Sequence, residues 1–188
     1  FPAALHDCHA AFKWLHANAR SLGVDQTRIA IGGASAGGGL AAALAQLVTD
    51  LKQEPCALQL LVYPMLDDRT TLESAPNRGS YLLWNSGSNR FGWASYLGAA
   101  AGRPPVYAVP ARRQQLADLP PAWIGVGTAD LFHDEDLAYA HRLKESGVDC
   151  ELYVAPGAFH GFDAVAPDAP ITRRFRDAQL AALRRHLL

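Results

Sequence analysis

Apolar residues recur at helical spacing near the start of the chain, at Leu5, Cys8, Phe12 and Leu15, and Gly23 follows as a stop. That spacing predicts an amphipathic helix from about Ala4 to Ser21. The pattern then changes to short, continuous apolar runs. Arg28 to Gly32 reads as a buried strand, Leu58 to Tyr63 as a second that Pro64 ends, Trp123 to Gly127 as a third, and Glu151 to Ala155 as a fourth. Helical spacing returns between and after them. One helix is expected from Ala36 to about Leu51, with Leu40, Leu44, Leu47, Val48 and Leu51 along one face. Another runs from Asp134 to Ser146, opening with Asp134, Glu135 and Asp136 as the helix dipole favours and closing at Gly147. A last one covers Pro170 to Leu188, with Asp168 placed to cap it.

Strands that alternate with helices, and that are apolar on both faces, predict an α/β fold: a mostly parallel sheet with helices on both sides. Right-handed crossovers then put the C-terminal end of every strand on one edge of the sheet. Ser35, Asp130 and His160 each follow a predicted strand closely, so all three are expected at that edge, where open α/β sheets place their ligand sites. The stretch from Asp67 to about Leu116 breaks the pattern. It is rich in Gly, Ser, Asn, Arg and Pro, with Tyr81, Trp84, Phe91, Trp93 and Tyr96 interleaved, and only Phe91 to Leu97 looks helical. A long insertion of this kind reads as a cap or lid over a pocket, the alternative being a surface excursion that its aromatics staple down. The expected organisation is one catalytic domain over residues 1–188 carrying that insertion at about 67–116.

Bulk properties narrow the partners. With 19% charged residues and a formal net charge of −1, nothing points to nucleic acid or to an anionic membrane. No apolar run is long enough to span a bilayer. The basic cluster Arg173, Arg174, Arg176, Arg184 and Arg185 falls in the last helix and reads as a solvated face. Cys8, Cys56 and Cys150 are far apart, odd in number and form no CxxC pair, which fits free thiols in a reducing, cytoplasmic setting. His6 and His9 lie one turn apart without a third ligand in sight, so no metal is expected. Gly37-Gly38-Gly39 fits no phosphate-loop frame, so no nucleotide cofactor is expected either.

The chemistry centres on Gly33-Ala34-Ser35-Ala36-Gly37, a G-x-S-x-G pentapeptide between a predicted strand and a predicted helix. A serine hydroxyl needs a base to take its proton and a third group to hold that base in the right tautomer. His160, in the small loop Gly157 to Phe162, is the expected base. Asp130 is the expected orienting acid, with Asp134, Glu135 and Asp136 as nearby rivals that already have a place in the dipole of the next helix. The backbone N–H of Ala36, at the start of the helix after Ser35, is positioned to face a developing oxyanion. The chain order serine, aspartate, histidine is that of the α/β-hydrolases.

On these residues the chain resembles the hormone-sensitive-lipase-like carboxylesterases of the α/β-hydrolase superfamily. Phe1 to Leu5 with Trp14-Leu15 looks like that family's segment ahead of the nucleophile strand. Ile29 to Gly38 is similar to its nucleophile elbow. Tyr63-Pro64, Gly127 through Glu135, and Phe159-His160-Gly161-Phe162 follow in the family's order. The resemblance implies hydrolysis of small, short- to medium-chain carboxylic esters through an acyl-enzyme, with Ser35, Asp130 and His160 as the triad and no cofactor. Ala34 stands where many members carry an acidic residue. The family's His-Gly-Gly oxyanion motif lies upstream of the nucleophile, whereas the His-Gly here is His160-Gly161. The resemblance therefore starts partway through the fold. The chain is expected to be a C-terminal portion of an esterase, lacking the N-terminal strands and leaving its first strand as an apolar edge, with a homodimer across that edge as the alternative. Two further readings stand beside the enzyme: a non-catalytic ligand binder like the gibberellin receptors of the same fold, and an inactive fragment that needs its upstream segment.

Overall fold

The computed structural model describes residues 1–53, 56–71 and 82–188. Tyr81 lies outside the described residues. Four strands, β1 (Ala30–Ala34), β2 (Leu58–Val62), β3 (Ala122–Gly127) and β4 (Cys150–Ala155), form one parallel sheet in the order β1-β2-β3-β4. Its register runs from Ala34 opposite Val62, through Val62 opposite Gly125, to Gly127 opposite Ala155. The C-terminal ends of the strands therefore lie side by side.

Helices α1 (Ala3–Leu22), α2 (Ala36–Asp50) and α4 (His133–Glu145) cover one face, and α6 (Pro170–Leu187), which follows the short α5 (Phe162–Val165), covers the other. The residues of β2 divide between the two layers. Leu61 packs with Ala42 of α2 and Leu143 of α4, while Leu58 and Val62 pack with Phe175 of α6. A strand covered on both faces has no solvated side, which is why β2 is apolar at every position but the buried Gln59. Trp123, Tyr139, Phe132 and Phe175 are the largest fully buried side chains, each worth about 1.5–3 kcal/mol of apolar burial.

The expected fold class stands, and so does the expected edge position of β1. Ile31 of β1 and Ile29 just before it are nonetheless buried against Leu5 and Phe12 of α1 and Leu44 of α2. Other expectations shift. The first strand starts two residues later than predicted, because the Asp25 carboxylate accepts from Thr27 N–H and Thr27 Oγ1 and winds Gln26–Arg28 into a 3-10 turn. Leu51 is exposed, and α2 instead buries its small residues Ala41, Ala42, Ala43 and Ala45 with Gln46. Asp168 does not cap α6, whose N-cap is Ala169 with Pro170 in the first turn.

Among the described residues of the insertion, the helix is longer than expected. Helix α3 (Ser86–Leu97) starts five residues before the predicted Phe91, because Asn85 caps it by accepting from Gly87 and Ser88 N–H. Trp93 and Leu97 are buried in a small apolar layer with Met65, Val109, Leu131 and Phe132, while Phe91 is exposed. Salt bridges Arg112–Asp68 and Arg113–Asp50 tie the following loop down at the surface.

Candidate active site

Three turns at the C-terminal edge of the sheet build the site. The first joins β1 to α2. Ser35 takes φ 57° and ψ −123°, a strained conformation for a residue with a Cβ that costs about 1–3 kcal/mol. The surroundings hold it there. Ser35 N–H donates to the Val62 carbonyl at 2.9 Å, and its own carbonyl accepts from Gly39 and Met65 N–H. Close approach explains the glycines only in part. A Cβ on Gly33 would sit 2.3 Å from the Gly37 carbonyl oxygen, and one on Gly39 equally close to that of Met65. A Cβ on Gly37 would meet open space, so the second glycine of the pentapeptide is not a packing requirement.

The second turn leaves β3 and the third leaves β4, and they interlock. A Cβ on Gly127 would lie 2.0 Å from the Ala158 carbonyl oxygen. With no side chain there, Ala129 N–H reaches that same oxygen at 3.0 Å, and Gly157 N–H donates to Thr128 Oγ1 at 2.8 Å. This contact sets the loop bearing Asp130 against the loop bearing His160.

The three expected side chains come together. His160 Nε2 lies 2.9 Å from Ser35 Oγ, and His160 Nδ1 lies 2.9 Å from Asp130 Oδ2. The Asp130 side chain is fully buried, and its other oxygen accepts from Phe132 N–H at 2.9 Å. The imidazole is boxed by aromatic rings. Tyr63 meets it edge-on at 4.8 Å, Phe132 at 5.1 Å, and Trp84 lies at 6.3 Å. Ala36 is the first residue of α2, so its N–H has no carbonyl one turn earlier to bond.

The rival acids have other work. Asp134 is exposed beside His133. Glu135 and Asp136 stand in the first turn of α4, as expected, and are buried there. Glu135 accepts from Leu66 N–H, Asp67 N–H and Thr70 Oγ1, pinning the turn after β2 to α4. Burial pushes its carboxyl up to about 8 against the pull of those three donors. Asp136 is held well above the usual carboxylate range by burial and by the nearby carboxylates of Glu135 and Asp130. Neither of its oxygens has a hydrogen-bond partner among the described residues.

Sequence reasoning passed over Tyr63 and Asp163. Tyr63 takes a positive φ of 36° after β2, and its hydroxyl donates to Asp163 Oδ1 at 2.8 Å, three residues beyond His160. Burial and the Asp163 carboxylate both push this phenol up. Tyr63-Pro64 was visible only as part of a family pattern, because the partner aspartate is 100 residues away.

A cavity of about 190 Å³ is walled by Ala36, the residue after Ser35, with Leu40, Met65, Trp84, Gly92 and Trp93. Its lining is almost wholly apolar. Among the described residues no group of three or more His, Cys, Asp or Glu stands close enough to hold a metal, and His9 Nε2 pairs with Gln53 Oε1 at 2.8 Å instead. Burial pushes the Cys56 thiol up to about 12 and that of Cys150 to about 11. Among the described residues no helix is long and apolar enough to cross a membrane.

Comparison with known proteins places the fold in a family. The profile of a family described as the alpha/beta hydrolase fold matches residues 1–164. The chain belongs to that family. It is 36% identical over 187 residues to esterase LipI of Mycobacterium tuberculosis, covering 98% of this chain and 58% of the relative. It is 32% identical over 198 residues to carboxylesterase NlhH of the same species, covering 100% of this chain and 60% of the relative. Among solved structures, a bacterial heroin esterase superposes with a TM-score of 0.90 at 37% identity, covering 100% of this chain and 61% of that one. Esterase LipW from Mycobacterium marinum gives 0.87 at 40% identity, covering 97% and 57%. The chain thus spans about three-fifths of the length of the relatives it matches.

Proposed function

We propose that this chain carries the catalytic serine, histidine and aspartate of a carboxylesterase acting on short- to medium-chain carboxylic esters. The observation that carries the reading is the unbroken relay from Ser35 Oγ through His160 to the buried Asp130, with both contacts at 2.9 Å. Relatives named as esterases, on the same fold, support it.

In this mechanism Ser35 Oγ bonds to the ester carbonyl carbon as its proton passes to His160 Nε2. The negative charge gathers on the carbonyl oxygen, facing the Ala36 N–H at the positive end of α2. Collapse breaks the bond to the leaving oxygen, which takes the proton from His160 and departs as the alcohol. Water then repeats the sequence on the acyl-enzyme, giving up its proton to His160, and Ser35 is released with the carboxylic acid. Asp130 holds the imidazole with Nδ1 protonated and stabilises its cation. The hydrogen bond from Phe132 N–H keeps that carboxylate aimed. The aromatic box leaves the ring little freedom to rotate out of line, so the proton path stays formed between turnovers.

The test uses the full-length protein with p-nitrophenyl acetate and a fluorophosphonate probe, alongside Ser35→Ala. Turnover and labelling are both expected, and in the variant kcat falls by about 10⁴–10⁶-fold with labelling lost. Hydrolysis or labelling that survives in Ser35→Ala would overturn the assignment. So would a folded protein that neither turns over nor labels.

A further inference from the structure

Trp84 and Asn89 stand on either side of the first turn of α3. Asn85 is the N-cap, so Trp84 is the residue just outside the helix and Asn89 is the fourth residue inside it. An apolar pair often occupies these two places and fixes the angle at which the chain enters a helix. Here the pair is polar: Trp84 Nε1–H donates to Asn89 Oδ1 at 3.2 Å. Asn89 is fully buried, and its Nδ2 has no hydrogen-bond partner among the described residues. An apolar side chain would staple the turn without burying that unpaired donor, and would suit a helix interior better. The stability of α3 therefore does not explain the asparagine.

What the bond controls is one wall around His160. Of the rings against the imidazole, Phe132 is fully buried and Tyr63 is tied through its hydroxyl to Asp163, so the turns that build the relay fix both. Trp84 comes from the insertion and is only half-buried. Beside it Gly92 carries no side chain, and the nearest ring carbon lies 3.4 Å from where a Cβ would be, so α3 does not wedge the indole from that side. Apolar contact with Met65 and its neighbours holds the ring in the layer but has no preferred direction. The hydrogen bond supplies one. It turns the indole N–H toward Asn89 and leaves the ring 6.3 Å from that of His160, tilted by 38°.

Building on the esterase reading, we propose that Asn89 is a positioning residue for the catalytic base. By holding the Trp84 indole against His160, it lets helix α3 of the insertion keep the imidazole in line between Ser35 and Asp130. Without the bond the indole turns and the imidazole drifts, although Ser35, His160 and Asp130 are all still present.

A double-mutant cycle on the full-length protein tests this, with kcat for p-nitrophenyl acetate as the measurement. Asn89→Leu and Trp84→Phe each remove the bond while leaving a bulky side chain at the changed position, and each is expected to lower kcat by about tenfold. The double variant is expected to be no slower than the slower single one, because Asn89 acts through the indole N–H. Losses that multiply overturn the proposal, as does wild-type kcat in Asn89→Leu. If Asn89→Leu does not fold, Trp84→Phe decides, and wild-type kcat in that variant overturns the proposal. Trp84 fluorescence adds a readout that a merely structural role would not move. A protonated imidazole attracts an indole ring and quenches its emission on contact, so wild-type emission is expected to drop as pH falls through the acid limb of kcat/KM. The drop should be absent in Trp84→Phe and in His160→Ala, and at least halved in Asn89→Leu. No drop in wild type, or a full one in Asn89→Leu, overturns the proposal even where kcat has fallen. If wild type hydrolyses no acetate ester, the esterase reading fails and the proposal goes with it. If acetate is hydrolysed but the losses multiply or the full drop persists in Asn89→Leu, only the Asn89 assignment fails.

Discussion

The two sides of Ser35 are built on opposite principles. On the relay side, backbone meets backbone with no room to spare: Gly33 and Gly127 each sit where an added Cβ would lie within 2.3 Å of a carbonyl oxygen. On the cavity side, α3 presents Gly92 to side chains at ordinary contact distance and leaves a hollow. The loop after α3 is held there by buried Ala108, Val109 and Ala111 and by the hydrogen bond from Ala111 N–H to the Leu66 carbonyl, with surface salt bridges adding little. The contrast shows a division of labour. Proton transfer tolerates little displacement, so its groups sit on turns fixed by steric exclusion. Choice of substrate depends on volume, which a helix face can change one side chain at a time.

That contrast breaks most visibly at Gly127. Gly127→Ala forces the β3 and β4 turns apart and is expected to cost about 3 kcal/mol, read as a lower urea midpoint, with esterase turnover falling alongside. Survival of both at wild-type levels would show that the interlock is not needed.

The buried acids behind the relay give the next largest effect, and its sign is set. In the unfolded chain the carboxyl of Glu135 ionises near its ordinary value of 4.5, but in the folded protein it keeps its proton up to about 8. The folded state therefore binds more protons across that window, and stability falls as pH rises, by up to about 1.4 kcal/mol per pH unit for each such group. Asp136 contributes in the same direction. Asp136→Asn cannot ionise, so its stability curve between pH 5 and pH 8 is expected to be shallower than that of wild type. Chemical denaturation at several pH values measures this, and an unchanged slope refutes it.

Tyr63 tests how far the relay side depends on a single bond. Tyr63→Phe keeps the ring against His160 and deletes the hydrogen bond to Asp163, a loss of about 1 kcal/mol. We expect a fall in kcat of up to about tenfold with KM little changed, since the bond steadies the histidine loop without lining the cavity. A matching rise in KM would place Tyr63 against the substrate instead. The smallest effect belongs to the cavity side. Gly92→Ala is expected to leave stability unchanged or raise it by up to about 1 kcal/mol, because the helix gains propensity and nothing is displaced. Appreciable destabilisation would mean that the space is already filled.

Much of the fold could be read in advance, because both-faced burial leaves a local trace. β2 and β3 are apolar at nearly every position, and the stop at Gly23 takes the left-handed conformation it announced. The readings that failed lacked such a trace. Leu51 looked like core but follows the end of α2, while the small residues Ala41, Ala42 and Ala45 line the face packed in the interior. The burial of Glu135 and Asp136 left no trace beyond their place in the first turn of α4, because charge alone does not reveal which face of that helix is inward. Tyr63, Asp163 and Phe132 went unmarked because their partners lie on other loops.

By itself, the sequence determined the alternation of strand and helix, the edge at which strands end, and the serine, aspartate and histidine carried to that edge. These follow from hydrophobic period and chain handedness, which act over short stretches. Only the tertiary structure decided the 2.9 Å spacings, the aromatic box around His160 and the hollow opposite Gly92. Each of those depends on how closely segments distant in sequence approach one another, and steric exclusion between backbones sets that distance where no local pattern records it.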